Sequence, residues 1–230
     1  MKKKILTFII IIISLGLLVQ AKAQTSEPST QVILTWQANN YFPADYPLKA
    51  LATPMTPILV SAELIKDNKI IDISKADFLW YVNNKYFNRG IGLKEILINV
   101  PVNWLGPYLV RTEIQLEQNN YGNSVSVNIA EPQVIIDYPS PIKTFKEGEQ
   151  IVLRSVPYFF NANNFQDFNF FWKINLHFQK ELNNQNPVIL TVSKDWANTD
   201  NSFRIGAGVE NKTSPLIPPQ ETSLTFYLSQ

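Results

Sequence analysis

Phe78-Leu79-Trp80-Tyr81-Val82-Asn83 is answered 92 residues later by Phe170-Phe171-Trp172-Lys173-Ile174-Asn175. The Phe, Trp and Asn stand at the same three places of each stretch. The same offset carries Val100 and Trp104 onto Val192 and Trp196, and Asp45-Tyr46-Pro47 onto Asp137-Tyr138-Pro139. One offset linking eight pairs marks a duplicated unit of about 90–100 residues, the size of a small two-layer β domain.

Strand patterns surround both copies. In Tyr108–Glu117, Tyr108, Val110, Thr112, Ile114 and Leu116 alternate with Arg111, Glu113, Gln115 and Glu117. Period-two alternation gives a strand one buried and one wet face. Ser202–Glu210 repeats the pattern, with Phe203, Ile205, Ala207 and Val209 inward. The spacing predicts strands at 31–37, 57–65, 77–83, 94–100, 107–117 and 123–129, then at 132–137, 149–156, 168–175, 187–193, 202–210 and 222–229. Asn83-Asn84, Asn119-Asn120-Tyr121-Gly122 and Asn183-Asn184 suit turns with left-handed backbone angles. Short strands with no helical stripe between them predict antiparallel sandwiches. The boundary falls near Ala130-Glu131-Pro132, where strand follows strand with no room for a flexible tether. The expected domains are a leader at 1–23, a first sandwich at 24–130 and a second at 131–230.

The repeated Phe-x-Trp-x-x-Asn stretches resemble the third strand of an immunoglobulin-like sandwich, where a buried tryptophan plugs the core. With Gly106-Pro107-Tyr108-Leu109-Val110 leading into a strand, they also resemble the PKD branch of bacterial surface sandwiches. The resemblance runs from Gln31 to the end of the chain. It departs from the PKD pattern where Asn83-Asn84-Lys85 and Asn175-Leu176-His177 replace a Gly-Asp-Gly type turn, and the paired cysteines of antibody domains are absent. The fold it implies is all-β: two tandem antiparallel immunoglobulin-like β-sandwiches after an N-terminal signal helix. The role it implies is that of a spacer or adhesive element on a bacterial envelope.

Lys2-Lys3-Lys4, an apolar run from Ile5 to Val19, and Ala21-Lys22-Ala23 make up a secretory leader, with the mature chain expected to begin at Gln24. The alternative is an uncleaved anchor, the only membrane contact expected. The apolar run is shorter than the roughly 20 residues of a bilayer span. The expected location is extracytoplasmic. Four of the 20 basic residues lie in the leader, which leaves 16 against 19 acidic, about −3. No basic patch offers itself to nucleic acid. With no cysteine, the chain has neither disulfides nor a lipid-bearing cysteine, and core packing must hold it together.

Trp80, Trp172, Phe78 and Phe170 are expected in the two cores. Trp104 and Trp196 are expected to cap the sandwiches, with ligand stacking as the alternative, Trp196 being the binding candidate of the two. Ala38–Thr56 is long for a connection and carries Tyr41, Phe42 and Tyr46 among Pro43, Pro47 and Pro54. Such loops are often functional; its aromatics either bind a ligand or fold back as a lid on the first sandwich. Tyr158, Phe159 and Phe160, followed by Phe165, form a second aromatic cluster, suited to a glycan, a protein contact or packing on a neighbour. Asp195 and Asp200 are weak calcium candidates, without the glycine and closing glutamate of a dedicated loop.

Catalytic parts are few. His177 is the only histidine, expected in a surface turn, and no Gly-x-Ser-x-Gly elbow presents a serine. Gly206-Ala207-Gly208 precedes no helix and is not a phosphate loop. The sequence therefore predicts no cofactor and no metal. It predicts a non-catalytic exported module that contacts an envelope protein, or alternatively a surface glycan or peptidoglycan through Tyr41, Phe42, Tyr158, Phe159 and Trp196. A secreted hydrolase is the remaining alternative.

Overall fold

The computed structural model describes residues 30–104 and 106–229. The leader at 1–23 lies outside the described residues. The first sandwich holds β1 (Thr30–Ala38), β2 (Pro57–Lys66), β3 (Lys69–Ile71), β4 (Asp77–Val82), β5 (Lys85–Ile91), β6 (Glu95–Asn99), β7 (Tyr108–Leu116) and β8 (Asn119–Val127). The second holds β9 (Gln133–Asp137), β10 (Thr144–Phe145), β11 (Gln150–Tyr158), β12 (Phe168–Ile174), β13 (His177–Phe178), β14 (Val188–Thr191), β15 (Ser202–Asn211) and β16 (Gln220–Leu228), with three single-turn 3-10 helices in its loops.

Each unit is a pair of sheets closed over one core. In the first, β1 and β6 flank β2, with the short β3 beside the far end of β2, and this sheet faces the order β5-β4-β7-β8. In the second, β9-β11-β14 faces β10-β16-β15-β12-β13. Val32, Ile58, Val60 and Ile96 meet Phe78, Trp80, Val110 and Ile114 across the first core. Ile151, Leu153 and Leu190 meet Trp172, Phe203, Ile205 and Phe226 across the second. Both units are immunoglobulin-like sandwiches, with the hairpin partner of the tryptophan strand on that strand's own sheet.

The repeat has a physical basis in hydrogen bonding. Trp80 and Trp172 are both wholly buried. A buried indole N–H needs an acceptor. Trp80 Nε1 donates to the Leu93 carbonyl at 2.9 Å and Trp172 Nε1 to the Gln185 carbonyl at 3.0 Å. Leu93 and Gln185 are themselves one repeat apart. Asn83 and Asn175 both sit at positive φ, 51° and 47°. Each opens a two-residue hairpin turn, Asn83-Asn84 and Asn175-Leu176, whose second residue is also left-handed. Their side chains reach back to the next sheet neighbour: Asn83 Oδ1 accepts from Leu109 N at 2.9 Å, and Asn175 Oδ1 from Arg204 N at 2.8 Å.

All twelve expected strands form. Four more, β3, β5, β10 and β13, lack an alternation to betray them. β5 is an edge strand exposed almost throughout, and β10 and β13 are two residues each. His177 belongs to the exposed β13 and not to the turn before it, since it pairs with Ile174. Asn119–Gly122 is not a turn but the start of β8; the hairpin turns at Glu117-Gln118, with Leu116 opposite Asn119. Asp45-Tyr46-Pro47 is not the counterpart of Asp137-Tyr138-Pro139. Asp137 closes β9, whereas Asp45 lies in a turn well past the end of β1. The structural match resumes at Ala52, which bridges Ile129 in parallel, as Thr144 one repeat later bridges Tyr227.

Candidate functional site

The aromatic residues of the two loops converge where the sandwiches meet. After β1 the chain crosses to the opposite sheet, and residues 39–51 make that crossing. Tyr41 forms a small antiparallel bridge with Phe160 of the second unit: Tyr41 N donates to the Phe160 carbonyl at 2.8 Å, and Phe159 N to the Tyr41 carbonyl at 2.7 Å. Thr53 Oγ1 donates to the Phe159 carbonyl at 2.6 Å, and Asn40 Nδ2 reaches the same carbonyl at 3.4 Å and that of Leu51 at 2.6 Å. Thr53 and Thr56 share a hydroxyl hydrogen bond.

Side chains cross the joint in both directions. Phe159 is 4 % exposed and packs in the core of the first sandwich. Its φ of 63° is a left-handed conformation that a bulky residue rarely adopts. The strain is sustained by the surrounding hydrogen bonds and by burial of its ring. Tyr41 goes the other way, packing edge-on against Phe168 at 5.0 Å beside the small cluster of Val134, Phe160, Phe168, Phe170 and Val209. Tyr46 lies edge-on to both Tyr158 and Phe159, at 5.7 and 5.3 Å. Edge-to-face pairs of this kind contribute about 0.5–1.5 kcal/mol each beyond burial.

A groove of about 720 Å³ opens beside this joint. Tyr41, Pro43 and Asp45 form one wall, and the outer surface of β9 and β11 forms the other, with Ile135, Val156 and Tyr158. Arg154 Nη2 donates to Asp137 Oδ2 at 2.8 Å within it. Burial first, with Asp45 and Tyr158 adding to it, pushes the Tyr41 hydroxyl above its ordinary range, while Arg154 works against the rise.

Each sequence-derived candidate now has a place. Phe78 and Phe170 are buried with their tryptophans. Phe159 and Phe160, expected to offer a binding surface, are corrected to joint residues, since at 4 % and 1 % exposure they present no face to a ligand. The loop 38–56 is not a free arm: Ala50, Ala52 and Tyr46 pack on the first core, as expected of a lid, while Asn40, Tyr41 and Thr53 also reach Phe159 and Phe160 of the second unit. Tyr41, Tyr46 and Tyr158 are half-buried there, and Phe42, 37 % exposed, leans on Tyr46. Trp196 stands apart, packed on Phe203 at 5.8 Å in the second core. Asp200 accepts from the Ser202 hydroxyl and amide, which holds its carboxyl below the usual range. Asp195 is exposed, and among the described residues no three His, Cys, Asp or Glu side chains gather as a metal would require. Asn40, Thr53, Arg154 and Ile135 carried no signal in the sequence, since polar residues of an irregular loop and outward strand positions follow no decisive period.

This architecture defines a tandem immunoglobulin-like module with a built joint. No family model and no curated protein matches the chain. Among solved structures it is similar to fibronectin(III)-like modules of Clostridium thermocellum CbhA at 8% identity, over 86% of this chain and 95% of that chain, with a TM-score of 0.31. Murine CEACAM1b matches at 13% identity, over 86% and 100%, with a TM-score of 0.31. The three N-terminal domains of the bacteriophage RB49 highly immunogenic outer capsid protein match at 10% identity, over 87% and 70%, with a TM-score of 0.34. The fold assignment rests on the strand pairings given above.

Proposed function

We propose that the chain is a non-catalytic, extracytoplasmic module that acts as a stiff spacer or protein-interaction element, its two sandwiches working as one body. The observation that carries this reading is the crossed joint: Phe159 of the second unit in the first core, and Tyr41 of the first unit against the second. Such reciprocal insertion resists bending, because any hinge motion would expose both rings and break the hydrogen bonds to the Phe159 carbonyl. The leader-like residues 1–23 support export, and the sparse catalytic inventory supports a role in contact.

A chain without cysteine accepts spin labels cleanly. Labels at Glu63→Cys and Ser223→Cys, both exposed and on different sandwiches, are expected to give one narrow distance distribution by pulsed electron resonance. A broad or multimodal distribution overturns the stiff-body reading. N-terminal sequencing of the exported protein is expected to start at Gln24. Turnover of a substrate by the purified mature chain, abolished by a point change, would end the non-catalytic reading.

A further inference from the structure

We propose that the groove at the joint is a binding site for a neutral oligosaccharide. Its lining has the two faces such a ligand needs. Ile135, 48 % exposed at an outward strand position, and Val156 give an apolar floor for the C–H face of a sugar ring, and the rings of Tyr41 and Tyr158 stand beside it. Arg154 gives Nε and Nη2 to Asp137 Oδ2, which leaves its Nη1 as a donor and Asp137 Oδ1 as an acceptor for sugar hydroxyls, and the tyrosines add their hydroxyls.

Charge decides against an ionic ligand. Among the described residues, the charged side chains in the lining are Asp45, Asp137 and Arg154. Arg154 and Asp137 neutralise each other, and Asp45 stands in no ion pair among the described residues. One residual negative charge repels an acidic ligand and attracts a basic one only weakly in open solvent. A polyhydroxylated neutral molecule uses the paired guanidinium and carboxylate as donors and acceptors without breaking their balance. The volume falls within the roughly 300–1,000 Å³ of small-molecule sites, which concentrate at domain interfaces. The backbone bridge holds Tyr41 in place before any ligand arrives, which lowers the ordering cost of binding.

The test is an array of neutral and acidic oligosaccharides that includes peptidoglycan fragments, probed with the mature chain, followed by calorimetric titration of each hit. Ile135→Asp and Arg154→Ala are expected to weaken binding by at least about tenfold, and Glu63→Ala, on the first sandwich, to leave it unchanged. Asp137→Asn keeps the side-chain shape and serves as the reporter should either of the first two fail to fold. A silent array, hits restricted to acidic glycans, or binding that survives these changes overturns the proposal. Narrow label distances with a silent array would sink this site alone and leave the spacer reading standing.

Discussion

Trp80 and Trp172 show how a single residue type sets the repeat. Each removes a large ring from water between two sheets and answers its only polar atom with a carbonyl 13 residues downstream. Trp80→Ala and Trp172→Ala are each expected to destabilise by about 3–5 kcal/mol, the cost of a buried aromatic truncation, in thermal or urea unfolding. A cost below about 1 kcal/mol for either would contradict its role as the plug. Asp77 offers a test by pH. The hydrogen bond from Arg89, then the Arg89 charge, holds its carboxyl below the ordinary aspartate range. A depressed folded value stabilises above the unfolded value and is lost as pH falls through the folded one. The stability gap between wild type and Asp77→Asn is therefore expected to be open at neutral pH and to close as pH drops below the usual aspartate range.

Among the elements, the two-residue turns are the most sharply specified. Asn83 needs a left-handed backbone and also supplies the acceptor for Leu109 N. Asn83→Gly keeps the backbone freedom and loses the acceptor, whereas Asn83→Ala loses both. Unfolding measurements are expected to rank Asn, Gly, Ala in falling stability, with Ala about 1–3 kcal/mol below wild type. On β15, Gly208 lies directly under the Phe171 ring, and an added Cβ would clash with the far edge of that ring. Gly208→Ala is expected to push the Phe171 ring aside and lower stability, while the same change together with Phe171→Ala recovers most of the loss, as coupled neighbours do.

For the whole molecule, the joint decides how the sandwiches behave together. Phe159→Ala empties a site in the first core, so it is expected both to destabilise, by about 3–5 kcal/mol, and to broaden the interdomain label distances. Narrow distances in this variant would mean that the short link at Ala130-Glu131-Pro132 alone sets the geometry. Tyr41→Ala removes a ring from the other side and is expected to broaden the same distribution with a smaller loss of stability, because Tyr41 is only half-buried.

The two-layer β plan, its duplication and the inward residues are legible in residue order alone, because strand alternation and a buried indole are local demands written into every second position. The sequence also marked Tyr41, Tyr46 and the 158–160 aromatics as unusual. It did not reveal β5 or β13, whose exposed edges follow no pattern, and it matched Asp45 to Asp137 although the chain places them differently. That the two aromatic loops belong to each other emerges only from the folded chain. Contacts such as Thr53 to Phe159 span 106 positions along the chain. No periodicity within one unit encodes which surface of the next it will meet, so the joint and its groove arise only when both sandwiches are folded and docked.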